Sequence, residues 1–402
     1  MGVITPIATG VPGFRDALRA GVRGGRALEV FDATTLATRI AASCVPAPGD
    51  TFGRDRKVAF AMIAAAEAMG QAGASGTCPG LSDAGRDAFV SLGVGLELFS
   101  MDDLVASRAP GFTLPTTPAA RRSFLQTPSD DCVHALSRRY GLGRPPLTLV
   151  SACAAGTDAI GVAARAVREG RRRWALAGGT DSMLNPLGVA GFCALHAMTT
   201  RNDDPEGASR PFDLSRDGFL LGEGAGLLVL ERLEDARTRG AEILGEIKGY
   251  GSSFDAFGIS EPHPDGAGAL LAMQRALADA GLPPDAIDVV NAHGTSTPKN
   301  DVVETLALKR LLGARAHRVP VTSMKSMIGH LVSGAGAVET VGALASLRGG
   351  FVSPTMNLMQ SDPACDLDYV PNVARVLAAR TVLKTSFAFG GQNAALLLGA
   401  AP

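Results

Sequence analysis

The feature that most constrains this chain is a recurring unit: a short apolar run, a tight turn of small residues, then a helix. Residues 147–150 are apolar and run into Ser151-Ala-Cys-Ala-Ala-Gly156, followed by a small-residue helical stretch reaching Gly170. The run 174–177 stops at Gly178-Gly179, and a helical pattern over 268–280 ends at Gly281 with Pro283-Pro284 beyond it. The run 287–291 leads into His293-Gly-Thr, a helix over 302–312 stops at Gly313, and 319–323 leads to Lys325, His330 and a Gly/Ala-rich helix. Short apolar strands separated by whole helices cannot pair as hairpins. They are laid side by side in parallel, with crossover helices covering the sheet faces. The unit occurs in both halves, and in each a strand delivers one reactive side chain, Cys153 in the first and His293 in the second. The halves are read as residues 1–240 and 241–402, sharing one core because no Pro/Ser/Gly linker divides them.

Composition excludes several classes. Glycine is abundant, 49 of 402 residues, but has no Gly-X-Y period, which removes collagen. With 38 basic against 39 acidic residues, the chain lacks the basic surplus of a nucleic-acid binder. Mean hydropathy is +0.17, yet polar residues and glycines break every apolar run before membrane-spanning length, so no membrane partner is expected. The start carries no basic, then apolar, leader. Cysteines 44, 78, 132, 153, 193 and 365 form no C-x-x-C pair, which argues against a zinc site and a disulfide framework. A cytoplasmic protein without a bound metal is expected.

The first 130 residues are the least legible. Residues 54–69 read as a helix stopped at Gly70, 75–87 as a loop and 88–96 as a strand. Thr127-Pro128-Ser129-Asp130 has capping-box spacing with proline at the first helical position, predicting a helix from there to Tyr140, closed by Gly141 and Gly143.

Three segments could carry chemistry. Cys153 lies between a strand and a helix opening, where free N–H groups and the helix dipole favour a thiolate. By itself a cysteine there reads more readily as a buried core residue, and the small residues around it are what leave room for something at the sulfur. Asn291-Ala-His-Gly-Thr-Ser-Thr-Pro298 and Ser323-Met-Lys-Ser-Met-Ile-Gly-His-Leu331 place His293, Lys325 and His330 on strand-end loops, where α/β sheets hold their ligands. His134, His196, His263 and His317 read as ordinary residues. Ser386-Phe-Ala-Phe-Gly-Gly-Gln-Asn393 joins strands at 381–384 and 395–398, either as a plain hairpin turn or as backbone approaching a ligand.

Together these segments resemble the β-ketoacyl-acyl-carrier-protein synthases, the elongating condensing enzymes. SACAAG (151–156) matches the nucleophile motif, AHGTSTPKND (292–301) the first histidine motif and SMKSMIGHLVSGAGAVE (323–339) the lysine and second histidine motif. SFAFGGQN (386–393) matches the gatekeeper loop, and NPLGVAGF (185–192) with the run 200–231 points the same way. The resemblance implies an α/β, thiolase-like fold of two pseudo-duplicated halves in an α-β-α-β-α layering. It implies that Cys153 carries an acyl chain as a thioester, and that His293 and His330 promote decarboxylation of malonyl-carrier protein. Lys325, paired with Glu339, would organise the second histidine. Backbone N–H groups of Cys153 and Phe389 would form the oxyanion hole, Thr295, Thr297 and Phe192 would line the channel, and Asp301 would give structural support. Arg56 and Lys57 would dock an acidic acyl carrier protein, with Arg121 and Arg122 adding to the patch and His196 at the channel mouth. No cofactor is implied, since phosphopantetheine arrives on the carrier. A homodimer, or a heterodimer with a chain-length factor, is implied.

Other readings fit less well. A non-catalytic chain-length factor lacks the cysteine. A thiolase needs a second cysteine as base, and Cys365 is not in such a setting. A cysteine hydrolase does not use two histidines with a lysine. The chain also departs from the family pattern. Ala388 and Gln392 replace glycine and threonine in the gatekeeper loop, and 123–126 lack the usual bulky apolar residues, which tilts the reading from fatty-acid toward polyketide synthesis. If Ala388 must adopt φ > 0, it biases that loop. The family opens with a Val-rich strand ahead of Met1-Gly-Val-Ile-Thr-Pro6, so a frame continuing upstream with such a strand is expected.

Overall fold

The computed structural model describes residues 1–46, 52, 55–73, 81 and 87–402; the loop expected at 75–87 lies outside these apart from Leu81 and Asp87. Ten strands make up most of the two main sheets: β1 (Gly2–Thr5), β2 (Phe89–Val94), β3 (Leu147–Leu149), β4 (Trp174–Ser182), β5 (Glu223–Glu231), β6 (Glu246–Phe254), β7 (Val289–Asn291), β8 (Val321–Thr322), β9 (Thr381–Phe387) and β10 (Gln392–Gly399). The first sheet has the order β1-β5-β4-β2-β3, with a two-residue strand, Ala8–Thr9, outside β1; the second has the order β6-β10-β9-β7-β8. The two orders are the same. Their directions match as well: in the first sheet β2 is parallel to β3 and β4 while β5 is antiparallel to β4 and β1. In the second β7 is parallel to β8 and β9 while β10 is antiparallel to β9 and β6. The duplication inferred from two reactive strand ends is thus written in the topology.

Six helices complete the layers: α1 (Arg56–Gln71), α2 (Asp131–Tyr140), α3 (Ala155–Arg168), α4 (Ala267–Ala280), α5 (Pro298–Leu312) and α6 (Ala335–Gly349). α1 packs on β1, β4 and β5, with α2 beside it; α4 packs on β6 and β10, with α5 beside it; α3 and α6 touch both sheets and each other. This is the expected α-β-α-β-α sandwich, with α3 and α6 as the middle layer. One apolar cluster joins Val3, Ala177 and Leu228 of the first half to Val289, Val341 and Leu396 of the second. Layers this close need glycine. A Cβ on Gly156 would lie 2.8 Å from the Ser333 carbonyl oxygen.

Three expectations about elements need correction. The strand at 174–177 does not end at Gly178-Gly179 but continues to Ser182, because β5 lies against it and a Cβ on Gly178 would stand 2.0 Å from the Gly226 oxygen. Those glycines are needed for close packing inside the strand. The helix expected from 127 begins at Asp131, its Asp130 cap makes no side-chain cap bond, and the Asp130 carboxylate meets His134 Nε2 at 2.9 Å instead. The first strand is present but short. Gly2, Val3 and Ile4 pair with Leu227, Gly226 and Ala225. Beyond them Leu228–Glu231 face a cavity of about 560 Å³ that Met1, Leu244 and Leu344 also line.

Candidate active site

Cys153 sits in a single 3-10 turn, Ala152–Ala154, that feeds directly into α3. The turn is forced: Ala152 holds φ at 47°, a left-handed conformation that alanine pays for. The sulfur is buried. Burial pushes its thiol up to about 11, against the nearby Lys325 charge and the backbone N–H groups of Phe389 and Cys153, which pull it down. The expected preference for thiolate is therefore corrected: helix-end donors are present, but desolvation outweighs them. Those two N–H groups, aimed at one sulfur, are also the donors an oxyanion next to Cys153 would use.

His293 stands just past β7. Its N–H is bound by Glu304 Oε1 at 2.9 Å and Thr385 Oγ1 at 3.0 Å. His330 is pinned by backbone: its N–H donates to the Leu220 carbonyl at 2.7 Å, and its own carbonyl accepts from Gly222 N at 2.9 Å. The two imidazoles meet edge to face, centroids 5.3 Å apart. Their tautomers follow from their partners. Val332 N donates to His330 Nδ1 at 3.0 Å. Lys325 Nζ lies 3.3 Å from His293 Nδ1 and, as an ammonium, can only donate. Both Nδ1 atoms are thus acceptors and both Nε2 atoms carry the proton. Burial, then the Lys325 charge, holds both imidazoles well below the usual histidine range. The site holds two neutral N–H donors.

Lys325 is buried, paired with Glu339, and bound to the His293 carbonyl at 2.8 Å. Its hydrogen bond goes to the first histidine rather than the second, which corrects the expectation that it organises His330. Asp301 takes the supporting role expected of it: buried on α5, it accepts from Phe212 N at 2.8 Å and Thr295 N at 3.0 Å. Thr295 and Thr297 share a hydroxyl contact of 2.8 Å. One cavity of about 380 Å³ is lined by Cys153, His293, His330, Thr295, Thr297, Phe192 and Phe389, with His196 among the residues at its edge.

The loop after β9 is both of the things it could have been: a hairpin turn, and backbone at the site. Gly390 and Gly391 hold φ at 84° and 80°, and Ala388 is not left-handed. The conformation that needs glycine falls two residues later than expected, so Ala388 is unstrained here. The loop is tied down by Gly390 N on the Ile259 carbonyl at 2.6 Å and by Asn393 Nδ2 on Asp255 Oδ1 at 2.7 Å.

The two cations expected to dock a carrier are paired inside the protein. Lys57 is buried against Asp55 at 2.8 Å and the Leu96 carbonyl at 3.1 Å. Arg56 is turned inward onto Glu223 and Phe52. Both charges are neutralised inside the first half, so neither offers an exposed cation. Arg121 is exposed and bound to the Pro115 carbonyl, while the side chain of Arg122 lies outside the described residues. Sequence reading also passed over Glu304 and Lys384. The signal was available: a lysine inside the apolar strand Thr-Val-Leu-Lys-Thr-Ser-Phe387, and an acid one helical turn after Asp301 on the same face of α5.

Known proteins share this arrangement. The family model for the N-terminal domain of β-ketoacyl synthases matches residues 1–236, and that for the C-terminal domain matches 244–359. The chain is similar to 3-oxoacyl-(acyl-carrier-protein) synthase 2 of Synechocystis sp., 39% identical, covering 98% of this chain and 95% of that protein. It is similar to the tetracenomycin polyketide synthase ketoacyl synthase alpha subunit of Streptomyces glaucescens, 36% identical, covering 99% of this chain and 95% of the relative. Of solved structures, the ishigamide ketosynthase/chain length factor matches with a TM-score of 0.86 at 33% identity, covering 100% of this chain and 98% of that one.

Proposed function

The chain belongs to the β-ketoacyl synthase family, and from that premise we propose that it is a 3-oxoacyl-acyl-carrier-protein synthase, an acyltransferase that condenses malonyl-carrier protein with an acyl chain held on Cys153. The observation that carries the assignment is the cavity shared by the Cys153 sulfur and two Nε2–H imidazoles. In the first stage Sγ attacks the thioester carbonyl of an acyl-carrier protein. The oxyanion sits on the Cys153 and Phe389 N–H groups, the carrier thiolate leaves, and it takes the proton that Sγ gives up. In the second stage the malonyl thioester carbonyl accepts from His293 and His330. Loss of carbon dioxide leaves an enolate whose charge those donors stabilise. The enolate carbon attacks the acyl thioester, the carbon–sulfur bond breaks, and Cys153 leaves as thiolate. Neutral donors suit this step: imidazoles held well below the usual range keep the same form across the physiological pH range.

His196 and Lys299 lie at the mouth, with Glu261 paired to Lys299. The carrier, an acidic protein bearing phosphopantetheine, is proposed to dock at this rim rather than at Arg56 and Lys57. No resident cofactor is needed for the reaction. Among the described residues no three His, Cys, Asp or Glu side chains group as metal ligands, and no helix is long and apolar enough to cross a membrane. The free cysteines support a cytoplasmic setting. Edge strand β3, with Leu147 and the following Val150 exposed, is the surface proposed for a second copy or for a chain-length factor such as the one in the ishigamide complex. The test is mass spectrometry of the protein after incubation with a panel of acyl-carrier thioesters, followed by malonyl-carrier protein. The expected result is an acyl adduct on Cys153 that disappears as 3-oxoacyl-carrier protein forms. Absence of any adduct across the panel overturns the assignment.

A further inference from the structure

A second lysine lies behind the histidines, and the reaction as described does not use it. Lys384 is on β9, a strand otherwise filled with buried apolar and hydroxyl side chains, and it is fully buried. Its Nζ lies 3.0 Å from Glu339 Oε2, 2.8 Å from the Thr385 carbonyl, 3.2 Å from Thr157 Oγ1, and against Ser386 Oγ. Glu339 meets Lys325 with its other oxygen. One carboxylate on α6 therefore stands between two ammonium groups, and one of those is the lysine that donates to His293. Thr157 is one turn into α3, the helix that follows Cys153, and its hydroxyl also meets Ser386 Oγ at 2.8 Å.

We propose that Lys384 is a positioning residue for decarboxylation: by sharing Glu339 with Lys325 it fixes Lys325 on His293, and it keeps a net positive charge behind both imidazoles. The inference rests on the condensing-enzyme reading above and adds a residue to it. Burying two lysines with one carboxylate is costly unless each is paired and hydrogen-bonded, and Lys384 Nζ has a carboxylate, a carbonyl and two hydroxyl oxygens around it. The surplus charge disfavours a proton on either imidazole, and both His293 and His330 feel Lys384 as well as Lys325. The titratable groups facing Lys384 are Glu339 on α6, Lys325, Glu304 on α5 and Asp158 on α3, besides the two histidines. Burial, then the Lys325 charge, pulls Lys384 down to about 8 against the opposing pull of Glu339 and Glu304. A proton lost there removes the surplus charge and loosens Glu339.

The test follows malonyl-carrier decarboxylation against pH, with acylation of Cys153 read separately by mass spectrometry. Wild type is expected to lose decarboxylation as pH rises through about 8. Lys384→Met, which keeps the length of the side chain and removes the charge, is expected to decarboxylate on the order of tenfold to a hundredfold more slowly. It should lack that alkaline limb, and its acid limb should move to higher pH because the histidines gain a proton more easily. Cys153 acylation should persist. A packing role alone would lower the rate without moving either limb. Lys384→Met with both limbs where wild type has them overturns the assignment. If that variant does not fold, Lys384→Gln decides by the same readings: a lost alkaline limb with Cys153 acylation intact supports the proposal, and both limbs where wild type has them overturn it. A wild-type protein that never decarboxylates malonyl-carrier protein brings down the condensing-enzyme reading and this inference together, whereas decarboxylation indifferent to Lys384 brings down this inference alone.

Discussion

The turn that bears Cys153 has a twin. In the first half Ala152–Ala154 makes one 3-10 turn before α3; in the second Val332–Gly334 makes one before α6. Ala152 has φ 47° and Val332 has φ 46°. The second position of each turn is a small polarisable or polar residue, Cys153 in one and Ser333 in the other. The backbones are alike and the surroundings are not. Cys153 opens into the cavity, and its sulfur receives two backbone N–H groups. Ser333 is buried between the sheets, and its N–H is spent on Asp181 Oδ2 at 2.9 Å. A strained turn ahead of a middle-layer helix is thus a structural device of the fold, and it becomes a nucleophile only where a cavity reaches it.

The largest expected effect breaks the pair at its reactive member. Cys153→Ala should abolish self-acylation and condensation, a loss of about a thousandfold or more, while leaving malonyl-carrier decarboxylation measurable. His330→Ala should do the reverse. Condensation at wild-type rate by Cys153→Ala would separate the chemistry from this turn altogether. A smaller effect sharpens what the turn does to its sulfur. Because burial holds the thiol up at about 11, the thiolate fraction should climb about tenfold per pH unit through neutrality. Inactivation by iodoacetamide should follow that slope to about pH 10. A plateau below about pH 8 would mean that the helix end and Lys325 win over desolvation. The smallest effect is expected at the twin: Ser333→Cys in the Cys153→Ala background should take up no acyl group from any acyl-carrier thioester, read as unchanged intact mass. Acylation of the new thiol would show that the turn alone makes a nucleophile.

Much of this site was legible because its parts lie on short contiguous segments. Cys153, His293 and His330 each follow an apolar run and precede small residues, and the fold brings those strand ends to one cavity. What was not legible depended on partners far along the chain. Arg56 reads as a surface cation until Glu223, 167 residues away, is seen to face it. Lys325 was placed with the second histidine by resemblance, whereas its hydrogen bonds reach His293, 32 residues away on another loop. Lys384 drew no notice because the carboxylate that makes it tolerable is on α6, 45 residues earlier in the chain. The capping spacing at 127–130 misled for the same kind of reason: Asp130 was already engaged by His134.

The middle layer has a further consequence. Helices α3 and α6 are buried over most of their length, and at Gly156 and Gly336 their neighbours stand closer than a methyl group permits. Such an interior has no slack for a longer side chain, and an inserted residue there would rotate every following contact. Diversification of chains built on this plan must therefore be peripheral, in the rim loops around the cavity and the outer helices. Substrate choice can drift at the rim while the paired middle helices stay as they are.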